Sequence, residues 1–254
     1  MMGRRFQSVL LGLAGVILLA GTARSTEIIG TNFNVVYDPT TLGLFGSLSL
    51  IGNTLAFTPN NFIAVSTNGQ GTVTPTGGAT TASGIELIAH PGFQFGSLQL
   101  TEFGDYLLQG SGTSVSVSGE LIAFDGDSTA DPVSTYTTST ITPGGPLTVT
   151  TGTAQNWKAQ ASITNATPTL GGGGPWLSGA GTVDVSLENL LSATTSSPNS
   201  EALVQKKAAF GGVGLLVTPL PPPVWLLGSA IVAFGVAARG RKWVLMARGR
   251  IGVV

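Results

Sequence analysis

Cysteine is absent from this chain of 254 residues, and histidine occurs only once, at His90. The chain therefore has no disulfide, no Cys–His dyad and no zinc site built from several histidine and cysteine ligands. It also contains no G-x-S-x-G nucleophile motif, phosphate-binding loop or dinucleotide fingerprint. Because His90 directly precedes Pro91-Gly92, we interpret it as a loop or strand-end residue. These absences predict a protein that is not an enzyme and needs no cofactor.

Basic residues are scarce between the two ends of the chain. Only three lysines occur in residues 26–217, against all twelve acidic residues, so this body carries a net charge of −9. Phosphate binding requires clustered lysine and arginine, so the composition argues against a nucleic-acid partner. The acidic body is compatible with divalent cations, but we interpret the charge itself as that of a generic solvated surface.

The basic residues that remain mark two targeting segments, the first at the N-terminus. Arg4 and Arg5 precede an apolar stretch of twelve residues, Val9 to Ala20, which is followed by the small residues Gly21-Thr22-Ala23. This is the pattern of a secretory signal peptide over residues 1–23, with cleavage after Ala23 or Ser25. The apolar stretch is too short for a stable membrane span, so we expect export rather than an N-terminal anchor.

The second targeting segment is at the C-terminus. Four prolines among residues 219–223 precede an uncharged run over residues 224–238, and Arg239, Arg241 and Lys242 follow it. Proline is tolerated in the first helical turn, and fifteen helical residues span roughly 22 Å, or more with Trp225 and the basic side chains at the interfaces. We expect a transmembrane helix at 224–238 with a cytoplasmic tail at 243–254, because basic residues stay on the cytoplasmic side. A core helix is the alternative, but the run has no polar face.

These C-terminal residues resemble the PEP-CTERM sorting domain in its Val-Pro-Leu-Pro-Ala variant. Pro219-Leu220-Pro221 matches the signature, Trp225 lies at the typical start of the helix, and Arg239 to Lys242 match the terminal basic stretch. Thr218 stands where valine is usual, Pro222 stands where alanine is usual, and residues 243–254 extend beyond the usual end. The resemblance covers about residues 218–242.

The resemblance implies processing and location. Members of the PEP-CTERM family are recognised by an exosortase, a membrane-embedded cysteine protease that is thought to cut near the signature. They typically accompany exopolysaccharide systems. We therefore expect a single-pass inner-membrane protein that is later displayed on the cell surface or in the extracellular biofilm matrix. The expected partners are the membrane, the exosortase and exopolysaccharide.

Residues 26–190 are predicted to form one antiparallel β domain, a sandwich or jelly roll. Apolar and polar residues alternate in several short runs separated by turn signals such as Asn68-Gly69 and Pro91-Gly92. The clearest runs are 113–124 and 182–188, where the residues expected to point inward are Val115, Val117, Leu121, Val183, Val185 and Leu187. Further runs start at Thr31 and Leu44. The composition of 192–200 is loop-like, so the segment 191–217 is expected to be a spacer or to contain a last strand.

One acidic loop is a candidate cation site. Asp125, Asp127 and Asp131 surround Gly126, and carboxylates at this spacing can supply oxygen ligands to calcium. Ala130 and Tyr136 occupy the positions where an EF-hand has glycine and glutamate. The alternative is an acidic hairpin turn after the strand at 113–124.

Three hypotheses about function follow. The first is a non-enzymatic exported envelope protein that is anchored by its C-terminal helix and processed by an exosortase. The second is a membrane-tethered carbohydrate-binding module, which would expose aromatic side chains on one sheet face; the candidates are Trp157, Trp176, Tyr106 and Tyr136. The third is an envelope hydrolase, which would need two carboxylates that converge in a cleft.

Overall fold

The computed structural model describes residues 25–126, 136–164, 180–207 and 212–221. These residues form antiparallel β-strands and two short 3₁₀ turns, Pro39–Thr41 and Gly43–Phe45, so the predicted all-β class is confirmed. The strands in chain order are β1 (Thr26–Ile29), β2 (Phe33–Tyr37), β3 (Ser47–Ile51), β4 (Thr54–Thr58), β5 (Ile63–Thr67), β6 (Gly71–Val73), β7 (Thr81–Ala89), β8 (Gln94–Gln109), β9 (Thr113–Asp125), β10 (Tyr136–Thr140), β11 (Thr142–Pro143), β12 (Gln155–Thr164), β13 (Thr182–Thr195), β14 (Glu201–Lys206) and β15 (Val213–Leu220).

The strands form two sheets. Sheet A has the order β1-β2-β7-β13-β9-β10, and β6 pairs with the end of β13. Sheet B has the order β11-β12-β8-β15-β4-β3, and β14 pairs with β5 on one side and with the second half of β8 on the other. Strand β13 of sheet A packs across β5 and β14 of sheet B, so the apolar core lies between the sheets, as in a β-sandwich.

The alternation read from the sequence sets which side chains enter the core. Val117, Leu121, Val183, Val185 and Leu187 are buried, as predicted. The predicted inward residue Val115 is partly buried and packs against the core, whereas Ser114 and Ser116 are exposed. In the run that starts at Leu44, the first leucine is buried in a 3₁₀ turn rather than in a strand.

The turn chemistry also follows the sequence at Asn68-Gly69. Both residues have positive φ angles, 54° and 79°, and the amide of Gln70 donates to the carbonyl of Thr67 at 3.0 Å. Asparagine followed by glycine is the usual choice for a hairpin turn that requires two positive φ angles. This turn joins β5 of sheet B to β6 of sheet A.

The folded body extends beyond the predicted boundary at residue 190. Strand β13 continues to Thr195, and only residues 196–200 of the loop-like segment lie outside a strand. Strand β15 is the last strand that was predicted as one of the two alternatives for 191–217. Its residues Val213, Leu215 and Val217 are fully buried. Of the two alternatives predicted for 191–217, a last strand is therefore correct, and the spacer is wrong for the 16 of those residues that lie in strands. Strand β13 ends in the sequence SATT, which resembles a loop in composition although these residues are paired in the sheet.

The predicted membrane and export segments lie outside the described residues. These are the signal peptide at 1–23, the helix at 224–238 and the tail at 243–254. Among the residues that the structure describes, no helix has the length and apolar character to cross a membrane.

The outer face of sheet A carries carboxylates that face one another. Glu120 on β9 lies directly opposite Glu188 on β13, and Glu86 on β7 lies opposite Asp184 on β13. Partial burial raises the pKa of Asp184. Like charges at directly paired positions of a sheet destabilise it. Repulsion between these carboxylates therefore lowers the stability of sheet A.

Replacing Glu188 with lysine is expected to raise the free energy of unfolding by about 0.2–1 kcal/mol, because it converts a repulsive cross-strand pair into an attractive one. Denaturant unfolding at low ionic strength measures the gain. A Glu188→Gln variant, which only removes the repulsion, should gain less, and high salt should shrink both effects. An unchanged midpoint at low salt would show that the two carboxylates do not interact.

Candidate functional site

A lysine and a glutamate form an ion pair inside the protein. The Nζ of Lys206 lies 2.6 Å from Oε2 of Glu102, and neither side chain has any solvent exposure. Buried charges are rare in proteins because their loss of hydration costs several kcal/mol per ion. Such a pair in a small all-β protein therefore requires an explanation.

Strand pairing brings the two residues together. Lys206 ends β14 and is paired with Gly104 on β8, two positions from Glu102 on the same face of that strand. In both strands the alternate positions that point inward are otherwise apolar or glycine, such as Leu100, Tyr106 and Val204. The ion pair therefore occupies core positions, and it arises from the same alternation that builds the core.

Asn189 of the opposite sheet completes a polar cluster with the ion pair. Its Nδ2 donates a hydrogen bond of 2.7 Å to Oε1 of Glu102, and its side chain is fully buried. The Glu102 carboxylate thus contacts the amide with one oxygen and the ammonium with the other. Among the described residues, Oδ1 of Asn189 has no hydrogen-bond partner, and the Lys206 ammonium has none beyond the ion pair.

Aromatic rings surround the ammonium. The Nζ of Lys206 lies 5.0 Å from the ring centre of Phe62, 5.3 Å from that of Phe45 and 5.9 Å from that of Trp157. Ring faces attract cations, and these rings also exclude water from the cluster. Trp157 lies directly against Gly104, where any Cβ atom would overlap the indole ring.

The surroundings alter the acid–base chemistry of the lysine. Burial lowers the pKa of Lys206, and the neighbouring Glu102 carboxylate opposes that shift. Loss of hydration disfavours the charged form of an amine, and a neutral lysine amine is a nucleophile. The cluster therefore combines a buried amine, a carboxylate able to exchange a proton with it, and a carboxamide on the other side of that carboxylate.

The predicted calcium site is only partly within the described residues. Asp125 lies at the end of β9, whereas Asp127 and Asp131 lie outside the residues that the structure describes. Within the described ranges, no three acidic or histidine residues are grouped so that they could hold a metal ion. The calcium site remains a prediction.

The predicted sorting signal lies at the end of the last strand. Pro219 and Leu220 are the final residues of β15 and pair with Phe95 and Gln94 of β8, after an irregularity between Thr218 and Pro219. Pro221 follows the strand and is exposed. The other predicted site residues lie outside the described part of the chain; they are Ala23, Trp225, Arg239, Arg241 and Lys242.

Two of the aromatic candidates for sugar binding belong to the core. Trp157 and Tyr106 are buried, with exposed fractions of 4% and 3%. The amide of Val149 donates to the Tyr106 hydroxyl at 3.3 Å, which leaves the tyrosine facing a covering loop. Trp176 and the side chain of Tyr136 are outside the description.

His90 has a structural environment at the end of β7. Its Nε2 lies 2.7 Å from Oδ1 of Asn34, and its Nδ1 lies 3.1 Å from the carbonyl oxygen of Thr31. Asn34 in turn donates to Glu27 at 2.9 Å. The histidine thus connects the turn after β7 to the start of β2, in agreement with a strand-end role.

Comparison of the chain with models of protein families, with curated proteins and with solved structures finds no match.

Proposed function

We propose that this protein is a non-enzymatic component of a bacterial envelope, exported by its N-terminal signal and held in the inner membrane by the helix at 224–238. An exosortase then cuts near Pro219-Leu220-Pro221 and frees the β domain for the cell surface or the exopolysaccharide matrix. The observation that carries the proposal is the position of this signature, because strand β15 ends at Leu220 and the apolar run begins at residue 224.

Under this proposal only three prolines separate β15 from the membrane helix. Three residues of polyproline conformation would bridge only about 9 Å, at 3.1 Å each. Three apolar side chains near the end of β15 are exposed to solvent. They are Ile29, Ile51 and Leu220, with exposed fractions of 77%, 48% and 43%. The turns that follow the two isoleucines meet at Asn53, which accepts hydrogen bonds from Asn32 and from the backbone of Val217. An apolar end of this kind suits contact with the membrane interface.

The pairing of β15 with its neighbouring strands limits where a protease can cut. Val217 is in the core, while Thr218 to Leu220 are paired with β8 on one edge only, since β4 pairs with β15 over residues 213–216. A cut at the signature needs these last residues to separate from β8, a local opening that leaves the core strand in place. The mature protein should therefore retain residues 213–217.

The competing hypotheses gain less support from the described residues. A carbohydrate-binding module needs exposed aromatic rings, and Trp157 and Tyr106 are buried. A hydrolase needs carboxylates in a cleft, and the pair Glu120 and Glu188 lies on the outer face of sheet A.

Replacing Pro219 and Pro221 together with alanine is expected to leave membrane insertion intact but to block processing, so that full-length protein accumulates in the membrane. The chain is expressed in cells that contain its exosortase, and immunoblots of membrane and released fractions measure the outcome. Mass spectrometry of the released wild-type protein identifies its new C-terminus.

Pro222→Ala is the matched control, because it places the residue typical of the signature at that position and should be processed normally. If the double variant is processed like the wild type, the sorting-signal interpretation is wrong. A permanent single-pass anchor would then be the better description.

A further inference from the structure

We propose that Lys206 and Asn189 react with each other to form an intramolecular isopeptide bond, which joins the two sheets covalently. The observation behind this proposal is that one carboxylate contacts both reacting groups. Oε2 of Glu102 lies 2.6 Å from the lysine nitrogen, and Oε1 accepts the 2.7 Å hydrogen bond from the asparagine amide. An amine and a carboxamide are thereby held on adjacent oxygens of the same buried carboxylate.

The site favours the neutral amine that the reaction requires. Transfer of a proton from the Lys206 ammonium to Glu102 replaces two buried charges with two neutral groups, which a low-dielectric interior favours. The lowered pKa of Lys206 acts in the same direction. The rings of Phe45, Phe62 and Trp157 keep water away, so hydrolysis does not compete with attack by the amine.

The reaction balances without an oxidant, a metal or any other reactant. After the proton moves to Glu102, the neutral Nζ of Lys206 attacks Cγ of Asn189, and Glu102 can donate a hydrogen bond to the developing oxyanion at Oδ1. Glu102 then passes a proton to Nδ2 and takes one from Nζ. The Cγ–Nδ2 bond breaks, ammonia leaves, and the new Cγ–Nζ amide remains beside a neutral Glu102.

Two further observations distinguish this site from a passive ion pair. Oδ1 of Asn189 has no partner within the described residues, so the atom that would carry the developing charge is not already engaged. The reactants also come from opposite sheets, and both are held by strand pairing at fixed core positions. Fixed proximity of this kind can replace much of the entropic barrier to a slow amide exchange.

The test is peptide mapping of the full chain after digestion with trypsin and a glutamate-specific protease. Cuts after Glu188, Glu201 and Lys207 release segments 189–201 and 202–207, and trypsin cannot cut after a modified Lys206. We expect these two segments to appear as one linked species, lighter than their sum by one ammonia. Fragmentation should place the link between Asn189 and Lys206.

Two variants assign the roles. Lys206→Met removes the nucleophile and keeps an unbranched apolar chain among the rings, and Glu102→Gln keeps the shape but cannot accept the lysine proton. Circular dichroism identifies which variants retain the β fold, and the linked species should be lost in both. A link that persists in Glu102→Gln would overturn the proton-transfer role of Glu102.

The wild-type digest is decisive even if a variant does not fold. Separate segments of unchanged mass, with cleavage after Lys206, would overturn the proposal. So would loss of ammonia from segment 189–201 alone, because that product is a succinimide at Asn189 rather than a cross-link. Neither result would affect the proposed sorting and processing, which depend on different residues.

Discussion

Replacing Glu102 with leucine is expected to lower the free energy of unfolding by about 3–5 kcal/mol, the usual cost of leaving one member of a buried ion pair without its partner. Lys206 would keep three aromatic neighbours, but they do not replace a carboxylate at 2.6 Å. The Nδ2 of Asn189 would also lose its acceptor. Denaturant unfolding, compared by midpoints, measures the effect against wild-type protein that carries the ion pair; in wild-type protein that carries the proposed Lys206–Asn189 cross-link, loss of the cross-link would add to it.

The double variant Glu102→Leu with Lys206→Met provides the control for charge. It removes both ions and keeps apolar volume in the core, so it should regain most of what the single variant loses through an unpaired charge. Neither variant can form the proposed cross-link, so the comparison between them does not depend on it. Asn189 is equally unpartnered in the single and the double variant, so its contribution cancels in the comparison. A double variant as unstable as the single one would show that the loss comes from packing rather than from an unpaired charge.

Replacing Gly104 with alanine is expected to cost about 3 kcal/mol, at the upper end of the range for overpacking a close-packed core. A Cβ atom there would overlap both the indole ring of Trp157 and the backbone carbonyl of Gln205 on β14. The backbone oxygen belongs to the sheet ladder and cannot move without disturbing the pairing that positions Lys206. The variant should therefore lose stability, and the fluorescence of the buried tryptophan should change.

Gly145→Ala is the matched control for this substitution. Gly145 lies in the loop after β11, and an added Cβ there would meet no atom within 4 Å. The same chemical change should be neutral or should stabilise by up to about 1 kcal/mol through the unfolded state. Similar losses in both variants would show that the effect belongs to glycine itself and not to the contact with Trp157.

The fold class could be predicted from the sequence because period-two alternation is a local signal. In β13 the residues Val183, Val185 and Leu187 are apolar and fully or almost fully buried, and each can be assigned to the core without knowing its neighbours. The extent of the body could not be predicted in the same way. Strand β14 has six residues and follows a serine-rich turn, so its pattern is too short to stand apart from a linker.

The buried cluster could not be found because its members are distant in sequence. Glu102 and Asn189 are separated by 87 positions, and only the pairing of the sheets shows that they meet. A local signal did exist for Asn189. Asn189 interrupts the series Val183, Val185, Leu187 and Leu191 at an inward position, and a polar residue in the buried register needs a partner. The sequence can thus mark candidates for burial, but not which residues they contact.

The place of β15 in its sheet would have a consequence for how the chain folds if it is exported as proposed. This strand lies between β8 and β4, so two strands that precede it by many residues have no partner on their facing edges until residues 213–220 arrive. Sheet B could not close while the chain was still crossing the membrane, and unpaired edges are prone to join other chains. Pairing between such distant segments is also slow to form.

In the proposed envelope protein, the apolar run that would arrest translocation follows this strand after only three residues. Completion of the sheet and arrest in the membrane would then occur at almost the same moment. The membrane anchor would hold the newly closed domain apart from its neighbours while β15 settles between β8 and β4. Release by the protease would follow folding rather than precede it.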